Sequence, residues 1–239
     1  MEIFQFKKFK VKQNSASVFK VNTEAVLLSA WVTIESKMEI LEIGSGSGVI
    51  SLGLVQRIDI SSNITTIDID KNAYALTMEN LELNQTTNIY ALHRSIQEYY
   101  QENSTKQFDL IISNPPYFNY KSKSVKPRNV FSKYTDSLDY ATLIELSNKL
   151  LKSEGRIAII IPYEDLKKMN IILQANQLHI LRALLLSSVP QKLPLRILLE
   201  IKKGSGKEDF FMEELLVKDQ EGQFTEEYKR LTKDYYTIF

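Results

Sequence analysis

An open, doubly wound α/β sheet with mainly parallel strands is the fold class this sequence predicts, and three observations predict it. Short apolar runs of strand type alternate with amphipathic stretches of helical period along most of the chain. Gly44, Gly46, Gly48 and Gly53, four of the eight glycines, fall together at the end of the first such run. The last two runs are joined by only about eight residues, 187–194, where a parallel crossover needs a dozen or more, so the final pair should be antiparallel.

Taken in order, strands are expected near 38–43, 64–69, 88–92, 108–113, 156–161, 178–186 and 195–202, seven in all. Amphipathic helices are expected over 72–83, 140–151 and 163–175 among others. Residues 1–239 read as a single domain, with 1–37 as an N-terminal segment, 38–202 as the core sheet and 203–239 as a C-terminal extension. A length of 239 residues with 44% hydrophobic content suffices for one full core.

Composition removes several function classes. A formal net charge of +1 announces no nucleic-acid partner globally, so any such partner must be met by a local surface. With no cysteine there is no disulfide frame, thiolate zinc site or cysteine nucleophile. His93 and His179 lie far apart, which disfavours a histidine metal site, and no metal is expected. Residues 1–20 alternate Lys with Phe and Val, unlike a signal peptide or membrane anchor. The expectation is a soluble, cytoplasmic monomer with no membrane partner.

The glycine turn narrows the ligand. In Leu41-Glu42-Ile43-Gly44-Ser45-Gly46-Ser47-Gly48, a strand runs into a helix through a turn stripped of side chains, which lets a ligand approach the backbone. A dinucleotide fingerprint would place its third glycine at 49, where this chain has Val49. The spacing matches instead the Glu/Asp-x-Gly-x-Gly-x-Gly motif of class I methyltransferases. That resemblance implies S-adenosyl-L-methionine as cofactor, with Glu42 near its methionine end and Gly44, Gly46 and Gly48 against its ribose and amino-acid parts. It also implies a Rossmann-like sheet whose last strand is antiparallel.

About twenty residues on, the second strand ends in Asp68-Ile69-Asp70. Doubly wound sheets place an acid there to accept both ribose hydroxyls, the role expected of Asp68, while Asp70 is placed to cap the next helix. After the third strand many methyltransferases carry another acid near the cofactor's adenine. This chain has Arg94-Ser95-Ile96 instead, leaving Ser95 and Ile96 to contribute hydroxyl and backbone contacts.

The segment with the most chemical content is Phe108-Asp109-Leu110-Ile111-Ile112-Ser113-Asn114-Pro115-Pro116-Tyr117. Prolines cannot continue a ladder, so the strand stops and its next residues project from the carboxyl edge, where ligands bind. An exocyclic amino group or carboxamide is a poor nucleophile because its lone pair is delocalised. If the Asn114 side-chain oxygen and the Pro115 carbonyl accept its two N–H bonds, the lone pair is aimed at an incoming methyl, and orientation alone lowers the barrier by several kcal/mol. Tyr117 offers a ring for stacking. These are the expected catalytic residues, with Asn114 also bordering the cofactor.

The chain resembles the Asn-Pro-Pro-Tyr methyltransferases, which modify adenine N6, guanine N2 or glutamine N5. More closely, Phe6-Lys7-Lys8-Phe9-Lys10-Val11-Lys12-Gln13, Phe19-Lys20-Val21-Asn22-Thr23-Glu24-Ala25-Val26-Leu27-Leu28-Ser29-Ala30-Trp31, Leu193-Pro194-Leu195-Arg196-Ile197-Leu198-Leu199, Phe224-Thr225-Glu226-Glu227-Tyr228 and Tyr235-Tyr236 are similar to the tRNA-1(Val) adenine-37 N6-methyltransferase family. The resemblance implies methylation of N6 of the adenine 3′ of the anticodon in a valine tRNA, and it places Thr23 beside the cofactor and active site. A tRNA anticodon stem-loop is then the expected partner. Lys121, Lys123, Lys126, Arg128 and Lys133, interleaved with Phe118, Tyr120, Phe131 and Tyr134, can neutralise phosphates while stacking on unpaired bases. Lys7, Lys8, Lys10, Lys12 and Lys20 form a second basic cluster.

The alternatives are an N5-glutamine protein methyltransferase, another rRNA or DNA amino-group methyltransferase of this class, and a cofactor-binding RNA chaperone without activity. The first usually carries a helical domain ahead of the sheet, and here only about 37 residues precede the first strand. A DNA enzyme would need a target-recognition region for which there is no room. The chaperone is disfavoured by the presence of both Glu42 and Asn114.

Overall fold

The computed structural model describes residues 2–13, 21–116, 139–190, 193–204 and 211–239. A two-stranded hairpin, β1 (Glu2–Gln5) and β2 (Lys10–Gln13), leads to α1 (Thr23–Trp31), and the main sheet follows. Its elements are β3 (Glu39–Ile43), α2 (Val49–Leu54), β4 (Asn63–Asp68), α3 (Lys71–Leu83), β5 (Ile89–His93), α4 (Ile96–Asn103), β6 (Phe108–Ser113) and α5 (Tyr140–Leu150). Then come β7 (Leu151–Pro162), α6 (Leu166–Ala175), β8 (Leu178–Ser187), β9 (Arg196–Lys203), β10 (Phe211–Leu216) and α7 (Glu226–Thr232).

The eight strands lie in the order β10-β8-β9-β7-β6-β3-β4-β5. All pairs are parallel except those of β9 with β7 and β8, so the short 187–194 connection does build an antiparallel pair. Chain direction across the sheet reverses between β3 and β6, and a crevice opens there at the strand carboxyl ends, where such sheets bind ligands. One core holds Ile40, Leu110, Ile112 and Leu198 under α1 and α2. The other holds Leu41, Ile43, Ile111 and Ile157 under α5 and α6. Successive residues of β3 thus feed opposite faces, as the two-residue period of a strand requires.

Three sequence expectations need correction. The sheet has eight strands instead of seven, since β10 joins its edge beside β8; Phe-Met-Glu-Glu-Leu-Leu faces solvent at three of six positions and lacks the apolar run of a central strand. Strand β7 begins at Leu151, directly after α5, because Leu151 pairs with Phe108 across a register shift. Gly155 makes that crossing possible: a Cβ there would lie 2.8 Å from the Phe108 carbonyl oxygen. Finally, Tyr163–Asp165 is a single 3-10 turn, and α6 starts only at Leu166.

Gly53 also differs from its three neighbours. It lies inside α2, where a Cβ would come within 2.7 Å of Ser29 Oγ and 2.8 Å of the Tyr235 ring, so it lets α1, α2 and the C-terminal segment pack closely. Tyr235 closes that contact by donating its hydroxyl to the carbonyls of Ser29 (3.1 Å) and Gly53 (3.3 Å).

Candidate active site at the sheet switch point

The glycine turn and the end of β6 meet across the switch point. Gly44 N–H and Ser45 N–H both donate to the Ile67 carbonyl, at 2.8 and 3.2 Å, which folds the turn over the end of β4. Gly44 has φ +80°, and nothing lies within 4 Å of where its Cβ would be, so a side chain would be strained and would project into open space above the sheet. Gly48 is also left-handed, and its Cβ position is 3.2 Å from Thr77 Cγ2 of α3. From the other side, Ser113 donates its hydroxyl to the Ile43 carbonyl at 2.8 Å. That bond crosses from β6 to β3 and holds Asn114, half-buried, and Pro115, buried, next to the turn.

Glu42 lies fully buried beneath the turn, accepting hydrogen bonds from Ser51 of α2 and from Thr66 of β4 (3.0 Å). Its Oε1 is buried with no hydrogen-bond partner among the described residues. Burial first, and then the nearby Asp68 charge, outweigh the two hydroxyl donors and raise its pKa from 4.5 to about 7. An orphaned acceptor under a glycine cradle fits a ligand that brings a cationic amino group.

The sign of the stability effect follows from linkage. A carboxyl with a raised folded-state pKa holds its proton more tightly folded than unfolded, so it favours folding below pH 4.5, and that contribution is lost as pH rises through about 7. Glu42→Gln removes the titration. The variant should therefore gain on the wild type by up to about 3 kcal/mol between pH 4.5 and 8, read from urea midpoints across that range. A difference that stays constant with pH would refute this account of Glu42.

Asp68 is mostly buried, which raises its pKa despite two backbone donors, Gly46 N–H at 2.9 Å and Asp70 N–H at 2.8 Å. Both oxygens are thereby fixed in direction, and each keeps a second lone pair for a hydroxyl. Asp70 caps α3 through the amides of Asn72 and Ala73, as its position predicts. Ser95 is the N-cap of α4 in a capping box: its hydroxyl accepts from Glu98 N–H, and Glu98 accepts in return from Ser95. The Ile96 side chain is buried, so only its backbone can face a ligand. Thr23, the first residue of α1, lines a cavity with Tyr228 and Tyr236. Arg196 at the start of β9 pairs with Glu24 at 2.8 Å, which sets this end of α1 at the carboxyl edge of the sheet.

Tyr117, Lys121, Lys123, Lys126, Arg128 and Lys133 lie outside the described residues, as does Lys20. Of the N-terminal lysines, Lys12 pairs with Glu79 and Lys7 donates to the carbonyls of Lys233 and Phe239, so these two serve the fold. The signals missed in the sequence are polar residues of α3. Asn80, fully buried, donates to Ser47 O (2.9 Å) and Lys12 O (3.1 Å) and accepts from Lys12 N–H (2.7 Å). It ties the glycine turn to β2, and Asn84 bonds both backbone groups of Lys10 in the same way. An Asn-x-x-x-Asn spacing on a helix could have flagged this pair. Ile69, 37% exposed beside Asp68, adds an apolar surface to the crevice.

The sequence pattern of the methyltransferase small domain family matches residues 10–178. A relative from Parabacteroides distasonis, described as a tRNA1(Val) (adenine(37)-N6)-methyltransferase, is 33% identical over 234 residues, covering 98% of this chain and 97% of its own. Among solved structures, one described as a predicted O-methyltransferase from Agrobacterium tumefaciens superposes with a TM-score of 0.70 at 17% identity, covering 89% of this chain and 96% of its own. Another, SMU.776 complexed with SAH, gives a TM-score of 0.58 at 15% identity, with 81% and 53% covered.

Proposed function

Because the chain belongs to the methyltransferase small domain family, and within it to the tRNA1(Val) (adenine(37)-N6)-methyltransferases, we propose that it methylates N6 of adenine 37 in a valine tRNA. The observation that carries this reading is Asn114-Pro115 held at the end of β6 beside the glycine turn by the Ser113 to Ile43 bond. S-adenosyl-L-methionine supplies an electrophilic methyl group when bound. Glu42 would face its amino group, the turn at Gly44, Gly46 and Gly48 its ribose and amino-acid part, and Asp68 its ribose hydroxyls. Ser95, Ile96 and Thr23 would border the same crevice.

The chain's own residues then work on the acceptor. The Asn114 oxygen and Pro115 carbonyl accept the two N–H bonds of the adenine amino group, which turns the nitrogen lone pair out of the ring's π system. Tyr117 stacks on the base. As the N–C bond forms, the nitrogen becomes cationic and releases one proton, so no strong base is required. Lys121, Lys123, Lys126, Arg128 and Lys133 neutralise the phosphates of the anticodon loop. The protein acts as a single-domain monomer without metal, in the cytoplasm. Among the described residues no helix is long and apolar enough to cross a membrane.

The test is incubation of unmodified valine tRNA with the protein and S-adenosyl-L-methionine, followed by nucleoside and fragment mass spectrometry. One N6-methyladenosine mapping to position 37 is expected. Methylation of a protein glutamine with no change in the tRNA would overturn the reading.

A further inference from the structure

The C-terminal segment builds a cavity of about 260 Å³, small beside the usual range of ligand pockets. Its walls include the rings of Phe4, Phe224, Tyr228, Tyr236 and Phe239, with the Thr23 hydroxyl at the first residue of α1. Phe224 and Tyr228 stack at 5.1 Å, and Phe239 stands edge-on to Phe224 at 5.3 Å. The lining also includes the hydroxyl-bearing Thr23, Tyr228, Tyr236 and Thr237, so the cavity pairs aromatic rings with polar groups.

Two connections set this cavity beside the active site. Its Val21 wall is bonded through its N–H to the Gln13 side chain at 3.0 Å, and Gln13 ends the strand that Asn80 ties to the glycine turn. Thr23 and Glu24 lie at the carboxyl edge through the Arg196 pair. A planar heterocycle with apolar faces and a hydrogen-bonding rim matches this lining, whereas an aliphatic ligand would leave the hydroxyl patch unused.

We propose that this cavity receives a second unpaired nucleobase of the RNA substrate, distinct from the one that is methylated; the proposal rests on the reading of the protein as a tRNA methyltransferase. Splayed loop bases are commonly held on aromatic rings, and a base anchored here would fix the register in which its neighbour reaches Asn114. Cavity and target site would together measure a separation along the loop.

A double-mutant cycle between protein and RNA tests it. The probes are valine anticodon stem-loop RNAs, each lacking the base at one loop position, bound to the intact wild-type protein, to a Phe224→Leu, Phe239→Leu double variant, and to Ile238→Glu. Ile238 lines the cavity and is 69% exposed, so the last variant puts a charge on the cavity wall without disturbing the core. For the wild type, base removal at one position besides the target should weaken binding by about tenfold. In both variants that penalty should vanish while the penalty at the target position persists. Equal penalties at every position in all three proteins, or a wild-type penalty at the target alone, would overturn the proposal. Failure of the wild type to methylate the intact stem-loop would instead refute the functional reading.

Discussion

Asn114→Ala should lower the single-turnover rate by about two to three orders of magnitude, or about 3 to 4 kcal/mol of barrier, with cofactor affinity nearly unchanged. In the proposed mechanism the Asn114 oxygen orients the acceptor nitrogen, and that orientation is worth most when the lone pair leaves the ring to form the new bond. Asn114 is half-buried at the end of β6, and the Ser113 to Ile43 bond still anchors that strand end in the variant. Asn114→Asp keeps an acceptor and the shape, and should retain part of the activity. Rapid-quench measurement of methyl incorporation into tRNA, beside calorimetric titration of the cofactor, separates the two effects. Near wild-type rates for Asn114→Ala would reduce the Asn-Pro-Pro segment to a strand stop.

Asn80→Ala should cost about 2 to 3 kcal/mol of stability, the second large effect, and should weaken cofactor binding as well. Three backbone groups lose their partner at once: the Lys12 N–H, the Lys12 carbonyl and the Ser47 carbonyl. The pairing works because two residues of strand advance about 6.8 Å while four of helix advance about 6.0 Å, so amides at i and i+4 on α3 meet alternate peptides of β2. Asn84→Ala, at the exposed end of the pair, should cost much less. Urea melts of the two variants decide the matter, and equal midpoints for Asn80→Ala and wild type would show that the hairpin does not depend on this bridge.

The parts of the site that were legible in the sequence are those encoded by local chemistry. Glycine clustering marked the turn, an acid at the end of an apolar strand marked Asp68, and paired prolines marked the end of β6. The antiparallel strand was legible because connection length limits topology. What remained hidden depends on contacts distant in sequence. Nothing local distinguishes Gly53 from its cluster, since its packing against Ser29 and Tyr235 involves residues on either side in the chain. Strand β10 carries acidic residues because it is an edge, and its partner β8 supplies the order that its own pattern lacks. Asn80 shares an Asn-x-x-x-Asn spacing with Asn84, but which backbone groups the pair bonds is visible only once β2 is laid across the helix.

The wall on which these contacts converge is assembled from the two far ends of the sequence. Lys7 donates to the carbonyls of Lys233 and Phe239, across 226 and 232 residues, and Phe6 forms a bridge with Tyr236. The entropy of closing a flexible loop grows only with the logarithm of its length, about 0.6 kcal/mol per doubling, so so distant a closure is thermodynamically little worse than a moderate one. Its effect is on order instead: contacts of long sequence separation come late in folding, after local helices and neighbouring strands have formed. The central sheet and its switch point can therefore be in place while the hairpin beside the glycine turn is still unsecured, and strand order is expected to precede a closed site.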